Sequence, residues 1–256
     1  MSVVSGILDG KQIVVMGASN RRSIAWGCAK VMAAQGAKII YTYRNARSKK
    51  HLSRLVGDDK PMIPCDVSDD ENIKKAFAEI GQKYGKIDGV VHAIAYADPA
   101  TLRSKFMDVK KDGYNLAQDI SAYSFISVVH YASQIMNPKG SFITMTYMGA
   151  TRAIPNYNMM GVAKAALEAS VRYLARDVGP KEMRVNAISA GAVKTLSVTG
   201  IKHHRDLLKE SQARTVDKKS VTIDEIGGAA AFLMSNLSTG VTGNVLYVDK
   251  GVHLLT

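Results

Sequence analysis

The sequence predicts an α/β fold: a doubly wound parallel sheet with helices on both faces. Three observations predict it. Short apolar runs of strand length alternate along the chain with segments of helical periodicity. The runs are continuous rather than alternating, as in strands covered on both sides. The residues best suited to chemistry or anion binding (Gly17, Asp66, the 93–97 stretch, Tyr147 and Gly191) each follow one of those runs. Ligands of such sheets sit beyond the strand C-termini.

The first strand is Gln12 to Met16, ending at Gly17, and Ser23 to Gln35 reads as a helix closed by Gly36. Lys38 to Thr42 and Met62 to Cys65 are the second and third strands. Ser68 with Glu71 has the spacing of a capping box, and Ile73, Phe77, Ile80 and Tyr84 place an apolar stripe on the helix behind it. Gly89 to Ala93 is a fourth strand, Tyr114 to Ile135 a long helix, and Ser141 to Thr146 a fifth strand. Pro155 fits the start of a helix rich in Ala, Leu, Met and Val up to Val178. A strand from Arg184 to Ile188 follows. Thr222 and Glu225 then cap a helix to about Met234, and Asn244 to Val248 is the last strand.

No repeat, low-complexity tract or Pro/Ser-rich linker divides the 256 residues, so residues 1–256 read as one domain. Hydrophobic residues make up 46% and charged residues 22%, ordinary values for a globular protein. There is no signal-peptide layout and no apolar run of about 18 residues. The expectation is a cytoplasmic protein without a membrane span. Cys28 and Cys65 read as buried reduced thiols, and neither has metal-ligand spacing around it. The net charge of +12 favours a polyanionic partner, and a solvated basic surface is the commoner explanation. The basic clusters lack the aromatic interleaving of a nucleic-acid binder, so no nucleic acid is expected.

Tyr157 and Lys164 are seven positions apart, which on a helix returns the side chain to nearly the same face. A phenol and an ammonium so placed can act as a proton donor and the cation that lowers its pKa. The loop after the first strand begins at Gly17, where backbone can approach a diphosphate, and the next helix aims its first N–H groups at an anion. It is not the G-x-G-x-x-G fingerprint, and a simple turn glycine is the competing reading. Asp66 suits the adenine end, or else is a turn residue. In Rossmann-like folds an acidic residue after the second strand accepts from the ribose hydroxyls, whereas arginine accommodates a 2′-phosphate. Here that strand runs into Arg44, Arg47 and Ser48 with no carboxylate, which favours NADPH over NADH. The competing reading is a solvated basic helix start.

Taken together, these motifs resemble the divergent short-chain reductases that act as enoyl-acyl-carrier-protein reductases in bacterial fatty acid synthesis. The resemblance spreads over nearly the whole chain: Gly17 with Ser23-Ile-Ala25, Asp66-Val67, His92 with Ile94-Ala95, Ala117 to Ser121, Thr146-Tyr147, Asn156-Tyr157-Asn158, Met160 to Lys164, Arg184 to Gly191, Thr195 to Ser197 and Gly240 to Gly243. It implies NADPH- or NADH-dependent reduction of a trans-2-enoyl thioester on acyl carrier protein, by a homotetramer. Carried over residue by residue, it implies that Tyr147 and Tyr157 line the acyl site with Ala97, Met160 and Ser197. Lys164 is implied to hold the nicotinamide ribose. Gly17, Ser23, Ile24, Asp66, Val67, Ile94, Ala192, Val193 and Thr195 are implied cofactor contacts. A stretch around 194–212 resembles the family's mobile substrate loop and helix, and its Lys202 to Arg205 cluster is a candidate for meeting the acidic carrier.

The tyrosine of ordinary short-chain dehydrogenases stands four positions before the lysine, and here that position is Met160. A carbonyl-reducing dehydrogenase is therefore the weaker alternative. The chain also departs from the family pattern: Ala93, Met148 to Ala150, Arg152, Ala192, Lys194, residues 213–216, Lys250 and Val252 replace its usual residues. These departures raise the other alternative, a weakly active or non-catalytic NADPH-binding paralogue.

Overall fold

A computed structural model describes residues 6–193, 195 and 204–255, with the side chains of 204–207 left out. One seven-stranded sheet runs through it in the order β3-β2-β1-β4-β5-β6-β7. The strands are β1 (Gln12–Met16), β2 (Lys38–Tyr43), β3 (Met62–Pro64), β4 (Ile87–His92), β5 (Met136–Thr146), β6 (Arg184–Ala190) and β7 (Val245–Val248). Every pairing is parallel. The helices are α1 (Ile24–Ala34), α2 (Ala46–Val56), α3 (Asp70–Tyr84), α4 (Pro99–Arg103), α5 (Lys111–Gln118), α6 (Ser124–Ala132), α7 (Asn158–Val178), α8 (His204–Arg214) and α9 (Ile223–Met234).

Alternate residues of each strand feed two separate cores. Val14 and Met16 of β1 pack with α3, α6 and α7, through Phe77, Phe125 and Leu167. Ile13 and Val15 pack on the opposite side with α1 and α9, through Met32 and Leu233. This two-sided burial is why the strands read as unbroken apolar runs. The chain leaves β1 toward β2 on one side, and β4 lies on the other, so the sheet order reverses between β1 and β4. A crevice opens at their C-terminal ends, the usual ligand position of this architecture.

The expected strand and helix order holds, with four local corrections. Asp69, not Ser68, caps α3: its carboxylate accepts from the Glu71 amide, while the Ser68 hydroxyl donates to Asp66. The expected helix over 114–135 is α5 and α6 joined by one wide π turn, Asp119–Tyr123. β5 begins five residues earlier than expected. Pro138 and Gly140 hide its first part, and a register shift between Ile87 and Gly89 absorbs the irregularity around Lys139, whose φ is +64°. Tyr157 is the cap before α7 rather than a residue within it, because Asn156 and Asn158 on either side have φ of +60° and +29°. Of the stretch expected to be mobile, 194 and 196–203 lie outside the described residues, Thr195 stands on the cavity wall, and α8 covers 204–212.

Candidate active site

A cavity of about 400 Å³ opens at the crevice, walled by the loops that follow β1, β4, β5 and β6. Gly17 starts its floor at φ +97°, and a Cβ there would lie 2.3 Å from the Ala93 carbonyl oxygen. Only glycine combines that left-handed backbone with that approach. The loop beyond is cinched by its own polar groups. Asn20 accepts from the Arg22 amide at 2.8 Å, and the Ser23 hydroxyl donates to the Asn20 carbonyl at 2.8 Å while accepting from the Trp26 amide at 3.3 Å. The N-terminus of α1 is thus held facing the cavity, a natural seat for a diphosphate.

Lys164 lies on the inward face of α7 and is buried, its Nζ donating to the Met145 carbonyl at 2.7 Å. Burial pulls its pKa down to about 8, with the nearby Glu168 carboxylate working in the opposite direction. Glu168 is itself buried and accepts from the Thr146 hydroxyl at 2.7 Å; desolvation raises its carboxyl above the usual range. An ammonium has three donors, so Lys164 keeps two for a ligand.

The Tyr147 and Tyr157 rings meet edge to face with centroids 5.1 Å apart. A Cβ on Gly149 would sit 2.5 Å from the Tyr157 ring, so this glycine permits the close seat. The expectation that Lys164 lowers the Tyr157 pKa is not met in the ligand-free protein. Burial pushes the phenol up, and Tyr147 and Glu168 push it the same way. Tyr157 is therefore a neutral hydrogen-bond donor across the physiological range.

Beneath this site His92 is fully buried between the Thr144 and Ser124 hydroxyls, at 3.1 and 3.0 Å. Desolvation, with Lys164 nearby, lowers its pKa to about 3, so it is a neutral structural histidine. The π turn also places Ser121, whose hydroxyl accepts from the Tyr96 amide at 2.9 Å and donates to its carbonyl at 2.8 Å. π turns recur at functional sites, and this one fixes the loop that carries Ile94 and Ala97.

Of the residues the sequence singled out, Gly17, Ser23, Ile24, Ile94, Ala97, Tyr147, Tyr157, Met160, Lys164, Ala192, Val193 and Thr195 all wall the cavity. Arg44 and Arg47 are exposed at the start of α2, beyond the β2 C-terminus. Ser48 completes a capping box with Asn45, its single hydroxyl proton directed to the Asn45 carbonyl. Asp66 accepts twice from Ser68, and Val67 is a core side chain. Ser197 lies outside the described residues. Sequence reasoning missed Asn20, Tyr96, Leu102 and Met145 on the wall, and Ser121 behind it. Leu102 sits in a five-residue helix too short to show periodicity. Asn20 stood in the expected loop, but only its contacts distinguish it.

Two of the family departures have local partners. The Arg152 guanidinium donates to the His253 and Leu255 carbonyls, and Lys250 bridges Asp217 at 3.1 Å and Glu225 at 3.2 Å. Both secure the C-terminal turn and leave the cavity wall alone.

The family model described as enoyl-(acyl carrier protein) reductase matches residues 17–253. Among curated relatives, the enoyl-acyl-carrier-protein reductase (NADH) FabI of Enterococcus faecalis is 52% identical over 247 residues, covering 96% of this chain and 99% of that one. The corresponding NADPH enzyme of Staphylococcus aureus is 46% identical over 252 residues, covering 97% and 98%. The crystal structure of the Bacillus cereus enoyl-acyl carrier protein reductase with NADP+ and indole naphthyridinone superposes with a TM-score of 0.94 at 44% identity, covering 98% and 99%. With its sheet order, its glycine-floored crevice and these near-complete matches, the chain belongs to the enoyl-(acyl carrier protein) reductase family.

Proposed function

We infer that the cavity binds NAD(P)H beside a trans-2-enoyl thioester delivered on acyl carrier protein, and that Tyr157 donates a hydrogen bond to the thioester oxygen during reduction. The observation that carries this is one wall holding a neutral buried phenol, a buried ammonium and a glycine-floored helix N-terminus. The residues present fit a dinucleotide. Gly17 leaves room where any Cβ would clash, α1 offers its free N–H groups to a diphosphate, and Lys164 has donors left for the ribose hydroxyls. Bound there, the nicotinamide supplies a hydride to C3 of the alkene.

The chain's own residues do the rest. As the alkene is reduced, negative charge develops on the thioester oxygen, two carbons from C3. Tyr157, seven positions before the lysine where carbonyl reductases have four, donates to that oxygen without giving up its proton, and the enolate then takes a proton at C2 from water to complete the saturated thioester. Tyr147 packs on the edge of the Tyr157 ring and holds it in place. Met160 occupies the position where a ketone-reducing enzyme needs its tyrosine, and its sulfur lies 3.8 Å from Ser121. The carbonyl-reducing alternative therefore lacks its acid.

The test is NAD(P)H oxidation with enoyl thioesters of several chain lengths, beside a ketone panel. Tyr157→Phe is expected to lower kcat about 100- to 1000-fold, the usual effect of removing one oxyanion donor, with cofactor affinity unchanged. No oxidation by wild type with any enoyl chain would favour a non-catalytic NADPH-binding protein instead.

For the nucleotide, the reading is NADPH in preference to NADH, with the 2′-phosphate between Arg44, Arg47 and the N-terminus of α2. Exposed guanidinium groups at that place support it. Arg44→Ala with Arg47→Ala should weaken NADPH at least tenfold and NADH little, as read by titrating cofactor fluorescence. Equal weakening of both removes the assignment.

Residues 1–256 work as one reductase domain, in the cytoplasm, where the two buried free thiols stay reduced. No described helix is long and apolar enough to cross a membrane. The exposed Tyr123, Ile126 and Tyr173 on the outer side of the α6 and α7 layer support assembly into a homotetramer.

A further inference from the structure

We propose that Asn158 is a positioning residue for the acyl end of the cavity, tethering the lip that carries Pro99 and Leu102 to the start of α7. The inference rests on the cavity being the acyl site. The Asn158 amide nitrogen donates to the Ser104 carbonyl at 2.7 Å and reaches the Leu102 carbonyl at 3.5 Å. Ser104 is the C-cap of α4, whose last carbonyls have no partner within that helix. Five residues are too few for a helix to persist unaided in water, so α4 depends on what holds its end. Its own cap bond, from the Ser104 amide to the Ala100 carbonyl at 3.1 Å, leaves the Ser104 and Leu102 carbonyls to Asn158.

The tether joins two walls of one cavity. Pro99 and Leu102 wall it on one side, and Tyr157 and Met160 on the other. Leu102 also packs on the small core of Ala97, Met159 and Met160. Asn158 directly follows Tyr157 and has φ +29°, a backbone setting that asparagine and glycine tolerate and branched residues do not. Position 158 thus needs both a permissive backbone and a side-chain donor, which selects asparagine. The cofactor side, with Gly17 and the Lys164 ammonium, does not touch this bond.

The experiment measures binding, so that it does not depend on turnover. Full-length protein saturated with NADP+ is titrated with decanoyl-CoA, a saturated and unreactive acyl thioester, and NADPH affinity is measured separately. Asn158→Gly keeps the backbone freedom and removes the donor. Asn158→Asp keeps the shape and turns a carboxylate oxygen toward the two carbonyls. Both should weaken decanoyl-CoA about tenfold and leave NADPH within twofold. Leu102→Ala should weaken decanoyl-CoA in the wild-type background and add little to Asn158→Gly, because the lip is already released. Unchanged acyl affinity in Asn158→Gly, parallel loss of both ligands, fully additive effects with Leu102→Ala, or no acyl binding by wild type would each overturn the proposal. Absence of enoyl turnover by a wild type that does bind decanoyl-CoA overturns the catalytic reading alone, and the affinities still decide the tether.

Discussion

Lys164 sits where two opposing demands meet. In the proposed reading its ammonium is needed beside a ribose, yet burial disfavours the charge and lowers the pKa from 10.5 to about 8. The sign follows directly: below about pH 8 the free enzyme holds the proton, and above it the amine is neutral. Since kcat/KM reports the free enzyme, kcat/KM for the cofactor should fall as pH rises through about 8. Lys164→Met should be slower overall and show no such titration. A wild-type profile flat to pH 10 would mean that this amine does not titrate there. At this scale the sequence was informative about Tyr157 and Lys164, because their types and spacing are unusual together. It was silent about Gly149 and Asn20, whose importance lies in what touches them. It misjudged the Tyr157 pKa because the ammonium points to a backbone carbonyl and burial dominates.

Among the elements, the π turn does most to shape the site. It carries Ser121, which bonds both the amide and the carbonyl of Tyr96. At roughly 1 kcal/mol net for each hydrogen bond, Ser121→Ala should cost about 2 kcal/mol. Calorimetry should then show a melting temperature several degrees lower, and KM for the enoyl thioester should rise more than KM for the cofactor. A variant matching wild type in both measurements would show the clamp to be idle. Strand positions were legible because two-sided burial leaves unbroken apolar runs, and the α9 cap was legible because Thr222 and Glu225 form the expected box. The wide turn was not, since one extra residue barely disturbs a helical pattern. Nor was the early start of β5, where Pro138 and Gly140 mask the strand.

Across the whole molecule, exposed apolar side chains gather on the α6 and α7 side. Tyr173 is 70% exposed on α7, and Ile126 is 37% exposed on neighbouring α6. If the proposed tetramer forms through this face, charging both, as Tyr173→Asp with Ile126→Asp, should shift the light-scattering mass to smaller species; an unchanged mass would remove this face from the proposal. The fold class was readable at this scale because alternating strands and helices admit few topologies. The strand order came only from the coordinates. That order has a consequence for how such a protein diverges. In the proposed reading the diphosphate seat comes from the loop after β1, whereas the phenol and the lip are carried by segments more than seventy residues further along. Drift at the lip can then retune which chain lengths are accepted while the diphosphate seat is inherited intact, so lineages sharing that seat are free to make different lipids.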